Sequence, residues 1–241
     1  MKPVRLDKFL SDMKAGTRSQ VKNLIRKGRI SVNGAVIKSP GYKVSEKDCV
    51  MEGDHQVSYR KYEYLLLNKP AGVVSATEDK KEKTVLDLVS NAARGDLFPV
   101  GRLDKDTEGL LLLTNDGRLA HDLLSPKKHV SKTYLAKISG QPGPDAAALF
   151  AEGLDIGDKG ITLPARLEIL KTGEESIVRI TIQEGRYHQV KRMFEAIGCS
   201  VIYLRRISMG TLKLDDSLLP GNWRPLTDDE LSKLIIRNES E

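Results

Sequence analysis

The sequence of 241 residues lacks the features that mark several large classes of protein. It has only two cysteines, Cys49 and Cys199, without metal-type spacing, so neither a disulfide framework nor a cysteine metal site is indicated. No apolar run approaches the ~20 residues of a membrane helix. The opening segment MKPVRLDKFLSDMK is charged throughout and has no signal-peptide core. These absences predict a protein of the cytoplasm that does not bind membranes.

The common cofactor motifs are also missing. There is no GxxxxGK[ST], GxGxxG or HExxH segment, so nucleotide, dinucleotide and zinc-protease functions have no support in the sequence.

Positive charge is concentrated at one end of the chain. Residues 1–60 hold 13 Lys and Arg against 6 Asp and Glu, whereas residues 61–241 hold 26 against 27. This distribution indicates a polyanion-binding module joined to a separate functional domain. The polar stretch HQVSYRK marks the boundary. We therefore predict domains at residues 1–58 and 62–241.

The basic module has the signals of two short helices and a hairpin. The segment RLDKFLSDM has helical apolar spacing, and Thr17 and Gln20 form a capping-box pattern before a second helix that Gly28 ends. Asn33-Gly34 is a strong hairpin-turn signal. The sequence thus predicts a small αα-hairpin domain.

One face of this module carries cations without an intervening acid: Arg18, Lys22, Arg26, Lys27 and Arg29. Such a face is either an ordinary solvated surface or a phosphate-binding one, and its one-sided charge favours RNA or DNA. Residues 4–50 resemble the small RNA-binding domain first described in a ribosomal small-subunit protein. The resemblance implies a structured RNA partner, with Arg5 added to the RNA-binding residues.

The remaining sequence predicts an α+β domain. Strands are expected at EYLLLN, GLLLLT, SKTYLAKIS, PARLEIL, SIVRITIQ, VIYLRRISMG and LKL, and helices at TVLDLVSNA, RLAHDLLS, DAAALFAEG and HQVKRMFEAIG. This order favours a mixed, mainly antiparallel sheet flanked by helices.

The segment GRLDKDTEGLLLLTNDG resembles the central motif of pseudouridine synthases. Lys69-Pro70, the segment KTY at residues 132–134 and EGRYHQVKRMFEAIG complete that family's ordered motifs, which span most of residues 63–212. With its N-terminal domain, the chain is similar to the ribosomal small-subunit pseudouridine synthase A group and its large-subunit relatives. Tyr187-His188, where large-subunit relatives usually carry Asn-Arg, and PGNWRPLT favour the small-subunit group.

The resemblance implies a reaction without a metal or organic cofactor. The N1–C1′ bond of a uridine breaks, the uracil rotates, and C5 rejoins the ribose. Asp104 is the implied catalytic carboxylate, either attacking carbon or removing the C2′ proton; the sequence leaves both routes open. A basic partner, implied to be Lys191, would favour the ionised carboxylate.

The resemblance also implies further site residues. Tyr134 would stack on the extruded uracil, although a core tyrosine is the alternative. Arg102 would fill the vacated base position or contact phosphate. The remaining implied pocket or RNA contacts are Leu204, Arg206 and Gln189. For Arg206 the alternative is a solvated charge on a strand. Asp106 is either a second catalytic carboxylate, as in a glycosidase pair, or a structural residue that hydrogen-bonds the loop around Thr107 and Gly109; we expect the structural role.

The function expected from the sequence is therefore site-specific isomerisation of a uridine in 16S rRNA. The expected partner is ribosomal RNA in a partly assembled small subunit, and the protein is expected to be a monomer. Two alternatives stay open: a 23S rRNA pseudouridine synthase of the same subfamily, and a non-catalytic ribosome-assembly protein.

Overall fold

The computed structural model describes residues 3–158 and 160–239. The chain divides into two compact units, one formed by residues 1–63 and 90–97 and the other by residues 64–89 and 98–241. In the described part of the chain, no helix is both long enough and apolar enough to span a bilayer. The first unit is therefore built from two separate stretches of sequence.

Two helices and two small antiparallel sheets form the first unit. Its elements are β1 (Val4–Arg5), α1 (Leu6–Asp12), α2 (Arg18–Arg26), β2 (Ile30–Val32), β3 (Ala35–Val36), β4 (Lys43–Val44), β5 (Val50–Glu52) and β6 (His55–Gln56). β1 pairs with β4, and the other strands lie in the order β3-β2-β5-β6. The apolar helix faces meet in a core that includes Phe9, Leu10, Val21 and Ile25. The predicted pair of helices is confirmed.

Two local signals in this unit act as the sequence predicts. The Thr17 hydroxyl accepts a hydrogen bond from the Gln20 amide, and the Gln20 side chain accepts one from the Thr17 amide, which completes the capping box of α2. Asn33 and Gly34 both have positive φ, at 51° and 83°, between the paired strands β2 and β3. The Asn-Gly hairpin is therefore confirmed.

The segment of residues 90–97 is bound to the rest of the first unit through Arg94, whose side chain is 3% exposed. Its Nη2 lies 2.5 Å from Asp96 and 3.4 Å from Asp12, and its Nη1 donates to the Arg60 carbonyl. The Glu63 carboxylate accepts the backbone amides of residues 93 and 94. A buried guanidinium with several acceptors fixes this segment firmly.

The described part of the second unit contains one large sheet and four α-helices. Its elements are β7 (Tyr64–Lys69), β8 (Phe98–Pro99), β9 (Glu108–Thr114), α3 (Gly117–Leu124), β10 (Lys132–Ser139), α4 (Ala146–Glu152), β11 (Arg166–Lys171), β12 (Glu175–Ile182), α5 (Gln189–Glu195), β13 (Ser200–Met209), β14 (Leu212–Lys213), β15 (Trp223–Pro225) and α6 (Asp228–Glu239). The main strand order is β11-β12-β10-β13-β9-β7-β15, with β14 beside β13 and β8 beside β9.

The large sheet is mixed and mainly antiparallel. β9 and β13 run parallel, and the other strand pairs assigned within the described residues are antiparallel. Helices α3 and α6 contribute to a core with the leucines of β7 and β9. Helices α4 and α5 meet through Phe150 and Phe194, whose ring centroids are 5.1 Å apart. The predicted α+β class is confirmed.

Two helix assignments differ from the sequence prediction. Only Asp87–Val89 of the predicted helix TVLDLVSNA is helical, as a short 3-10 turn, because the residues that follow belong to the first unit. Helix α6 was not predicted, although Thr227 and Glu230 form a reciprocal capping box at its start. That T-x-x-E pattern was the signal available in the sequence.

Candidate active site

The charged loop of residues 101–107 leads directly into β9, where the backbone approaches β13 closely. Gly109 has a φ of 100° and lies beside Arg206 in the parallel pairing. A β-carbon at this position would overlap the Arg206 carbonyl oxygen. Glycine is therefore required for β9 to reach β13 and for the loop to end where it does.

Lys69, at the end of β7, holds the loop from inside the protein. Its side chain is fully buried, and Nζ donates to the carbonyls of Pro70 at 3.0 Å, Lys105 at 3.3 Å and Thr107 at 2.8 Å. Burial lowers the pKa of Lys69 to about 8, although the nearby loop carboxylates act in the opposite sense. Lys69 thus organises the loop backbone.

A second buried contact fixes the loop just before Asp104. The Ser75 hydroxyl donates to the Leu103 carbonyl at 2.9 Å and accepts from the Leu103 amide at 3.1 Å. The Gly72 amide also donates to the Lys105 carbonyl. Ser75 was not identified from the sequence, because a contact across 28 residues leaves no local pattern.

Asp104 faces an open cleft and lies beside two basic side chains. Its carboxylate is 31% exposed, with Oδ1 3.4 Å from His188 Nε2 and Oδ2 3.6 Å from Lys191 Nζ. The cleft is lined by Arg102, Leu103, Asp104, Thr107, Tyr134, Ile182, Gly185, Arg186, His188, Gln189, Val190, Lys191 and Leu204. An anion aimed into a cleft between nitrogen donors is suited to nucleophilic or general-base chemistry.

Lys191 contacts a second carboxylate more closely. Its Nζ lies 2.8 Å from both carboxylate oxygens of Asp106, whose side chain is 71% exposed. This ammonium holds the pKa of Asp106 below its ordinary value. The expected role of Asp106 within its own loop therefore differs from the structure, where its side chain binds α5.

The turn before α5 presents His188 to the loop, and the first turn of α5 presents Lys191. His188 precedes α5 in the left-handed region, with φ 48° and ψ 32°. The Gln189 side chain accepts from the Arg186 amide and donates to Glu184, and is only 3% exposed. Gln189 lines the cleft but uses its amide within the protein. His188 was missed as a site residue, because its sequence neighbours alone do not place it beside Asp104.

The remaining pocket residues lie on the sheet and the loop. Tyr134 on β10 and Leu204 on β13 both line the cleft and are 7% and 6% exposed. Arg102 is exposed at the rim of the same cleft. The structure thus brings Asp104, Tyr134 and Leu204 to one cleft from three separate elements.

Arg206 is placed differently from its prediction. It is 2% exposed, and its Nε donates to the Leu110 carbonyl at 2.8 Å. Neither the expected RNA contact nor its solvated alternative agrees with this burial. Lys132 is also buried, and burial together with the charge of Arg206 lowers the pKa of Lys132 to about 8. Two buried cations therefore lie on the neighbouring strands β10 and β13.

The basic residues of the first unit are mostly accessible. Arg18, Arg26, Lys27 and Arg29 are exposed, and Lys22 is half-buried. Arg5 is also exposed, and its Nε and Nη2 donate to both carboxylate oxygens of the buried Asp7. Among the described residues, no cluster of three or more His, Cys, Asp or Glu side chains could hold a metal ion.

Comparison with known proteins gives two family matches. Residues 63–196 match RNA pseudouridylate synthase, and residues 4–50 match the S4 domain. A Bacillus subtilis protein named uncharacterized RNA pseudouridine synthase YtzG is 45% identical, covering 96% of this chain and 98% of its own length. The Haemophilus influenzae ribosomal small subunit pseudouridine synthase A is 41% identical, covering 96% and 100%.

A solved structure agrees with these matches. A crystal structure of a pseudouridylate synthase is 41% identical, covers 96% of this chain and 99% of its own, and superposes with a TM-score of 0.68. The sequence motifs, the S4 domain and the architecture of the sheet thus lead to one assignment. This chain belongs to the RNA pseudouridylate synthase family.

Proposed function

We propose that this chain isomerises a specific uridine of 16S rRNA to pseudouridine, with Asp104 as the catalytic carboxylate. The observation that carries the proposal is the position of Asp104 in the cleft, with His188 and Lys191 within 3.6 Å. The loop that bears it is fixed by buried donors from outside the loop. A pre-positioned carboxylate needs little reorganisation when the substrate binds.

The cleft residues suit each step of the isomerisation. Asp104 attacks the ribose or removes its C2′ proton as the N1–C1′ bond breaks, and the detached uracil turns so that C5 forms the new bond. Tyr134 stacks on the uracil, and Leu204 packs against it. C5 loses its proton and N1 gains one. If Asp104 attacks C1′, the Asp104–C1′ bond breaks as C5 bonds to C1′; if Asp104 removes the C2′ proton, that proton returns to C2′. Product and substrate therefore have the same atoms, and no oxidant or reductant is consumed.

The choice of 16S rRNA rests on the relatives and on two residues. Relatives that cover 96% of the chain are named ribosomal small subunit pseudouridine synthase A. Tyr187-His188 resembles that group, as noted from the sequence. The basic face of the first unit would hold RNA through phosphates. We place the reaction in the cytoplasm, on a partly assembled small subunit, and we take the protein to act as a monomer.

Substitution at Asp104 tests the mechanism directly. Asp104→Asn should abolish single-turnover isomerisation of 16S rRNA and leave RNA binding nearly unchanged, because asparagine keeps the shape but is neither base nor nucleophile. Asp229→Asn, which changes an exposed carboxylate paired with Lys233 on α6, is the control and should keep wild-type activity. Substantial turnover by Asp104→Asn would refute the assignment.

Mapping of pseudouridines tests the substrate. In rRNA from cells with and without the gene, one 16S uridine should remain unmodified when the gene is absent. Restoration by the wild-type gene but not by the Asp104→Asn variant connects the site to the reaction. Loss of a 23S pseudouridine instead would assign the chain to the large-subunit relatives.

A further inference from the structure

An aromatic side chain at the cleft rim has no role in the reaction as proposed above. Tyr187 is 75% exposed, and its ring lies on the His188 imidazole with centroids 3.9 Å apart and planes 17° apart. Its chain neighbours, Arg186 and His188, both line the cleft. A large aromatic ring is thus presented to solvent directly beside the site.

The ring stacks on one neighbour, and a second side chain holds the backbone that carries it. Arg192 Nη1 donates to the Tyr187 carbonyl at 3.1 Å, and the stacked His188 has a left-handed backbone conformation that is uncommon for a residue other than glycine. His188 also reaches Asp104 at 3.4 Å. The exposed ring is therefore separated from the proposed catalytic carboxylate by one imidazole.

We propose that Tyr187 is a stacking platform for an unpaired nucleobase of the RNA, next to the target uridine. The inference rests on the proposed function and adds a recognition site to it. Extrusion of a uridine from a helix breaks its stacking with both neighbours. A tyrosine with one face on His188 offers its other face to such a neighbour, and every base has a π-face to place there.

The surroundings favour RNA over an apolar partner. Arg186, Lys191 and Arg192 lie within five residues of Tyr187 in the sequence, and they pair with the carboxylates of Glu184, Asp106 and Asp158 respectively. Base stacking beside cations is the usual combination in sites for single-stranded nucleic acid. An isolated surface tyrosine without function is the competing explanation, and it predicts no coupling to any base of the substrate.

A coupling experiment between protein and RNA tests the platform. The substrate is 16S rRNA joined by ligation, with the base flanking the mapped target uridine either present or replaced by an abasic residue. On the intact RNA, Tyr187→Leu should lower kcat/KM about 10-fold, mainly through KM. Tyr187→Phe keeps the ring and should stay within about twofold of wild type, which serves as the matched control.

The decisive result is the loss of this difference on the abasic RNA. With the stacked base removed from one flank, wild type and Tyr187→Leu should have the same kcat/KM. Equal activity of both proteins on intact RNA, or a difference that persists with either flanking base removed, would overturn the proposal.

A binding measurement separates this inference from the proposed function. In the Asp104→Asn background, RNA carrying 2-aminopurine at the stacked position should change fluorescence on binding, and the added Tyr187→Leu substitution should abolish the change. This readout needs no turnover, so it holds even if Asp104 proves not to be catalytic. An unchanged signal with leucine at 187 would refute the platform alone.

Discussion

Lys191 lies closer to Asp106 than to Asp104: its Nζ is 2.8 Å from each oxygen of Asp106 and 3.6 Å from the nearer oxygen of Asp104. One ammonium thus serves two carboxylates of the same loop. The exposed Asp106 holds the lysine at the edge of the cleft, where it remains within reach of the carboxylate that we propose to be catalytic. A point charge can be shared in this way more easily than a bidentate guanidinium.

Removal of this ammonium should impair turnover strongly. We expect Lys191→Met to reduce kcat about 100-fold or more, as for loss of one positioned donor in an active site. Lys191→Arg should be partly active. The measurement is single-turnover isomerisation, with Lys105→Met, whose ammonium pairs with Glu82 outside the cleft, as control. Normal turnover by Lys191→Met would leave His188 as the basic partner of Asp104.

Gly109 should tolerate no side chain. Gly109→Ala adds a β-carbon against the Arg206 carbonyl at a positive φ, so we expect a loss of about 3 kcal/mol or more in the free energy of unfolding. Gly117→Ala, at the start of α3 with open space around it, should be neutral or slightly stabilising. The free energy of unfolding of both variants is measured by urea denaturation. Equal values for Gly109→Ala and Gly117→Ala would contradict the close approach of β9 and β13.

The buried Lys132 should make stability depend on pH in the alkaline range. Its pKa is about 8 in the folded protein and 10.5 ordinarily, so between these values the unfolded chain binds more protons. The free energy of unfolding therefore rises as the pH increases from about 8 to 10.5. This gain is lost as the pH falls back through about 8.

Substitution of Lys132 should remove the part of this pH-dependent increase in stability that comes from its ammonium group. In Lys132→Met, the free energy of unfolding should increase less with pH, by up to ~1.4 kcal/mol per pH unit for one proton. Lys137→Met on the same strand, where the ammonium is 42% exposed and pairs with Glu175, should keep the wild-type slope. An unchanged slope for Lys132→Met would show that the Lys132 pKa is not lowered.

The basic face of the first unit should determine the salt dependence of RNA binding. Replacement of Arg18, Lys22 and Arg26 by glutamine should weaken binding and reduce the log–log salt slope by ~0.7–0.9 per lost phosphate contact. Lys233→Gln, which removes an exposed lysine paired with Asp229 on α6, is the control. An unchanged salt slope in the triple variant would show that this face does not contact RNA phosphates.

Regular elements and the cleft position of several residues could be predicted from the sequence. Periodic apolar residues and turn signals locate most strands and helices because those patterns are local. Family motifs point to Asp104, Tyr134 and Lys191, which the structure brings to one cleft. Their catalytic roles, and the domain boundary near residues 58–62, stay predictions until the experiments above are done.

What the sequence did not reveal depends on long-range packing. Ser75 and His188 contact the loop of Asp104 only through the tertiary fold. Arg206 is buried because its strand, β13, lies between β10 and β9 in the sheet. The exposed Asp106 was assigned to its own loop because a partner 85 residues away leaves no local trace. Hydrophobic periodicity and turn signals are local patterns, so they do not reveal such long-range contacts.

Because the first unit is built from two stretches of sequence, it cannot complete its fold during synthesis until the second stretch has been made. Residues 1–63 leave the ribosome first, but Arg94 and the amides that bind Glu63 belong to a segment made about thirty residues later. Until residue 97 has emerged, Asp12 has no arginine from this segment, and the unit stays incomplete. The nascent RNA-binding module therefore reaches its final form only after synthesis of the catalytic sequence has begun.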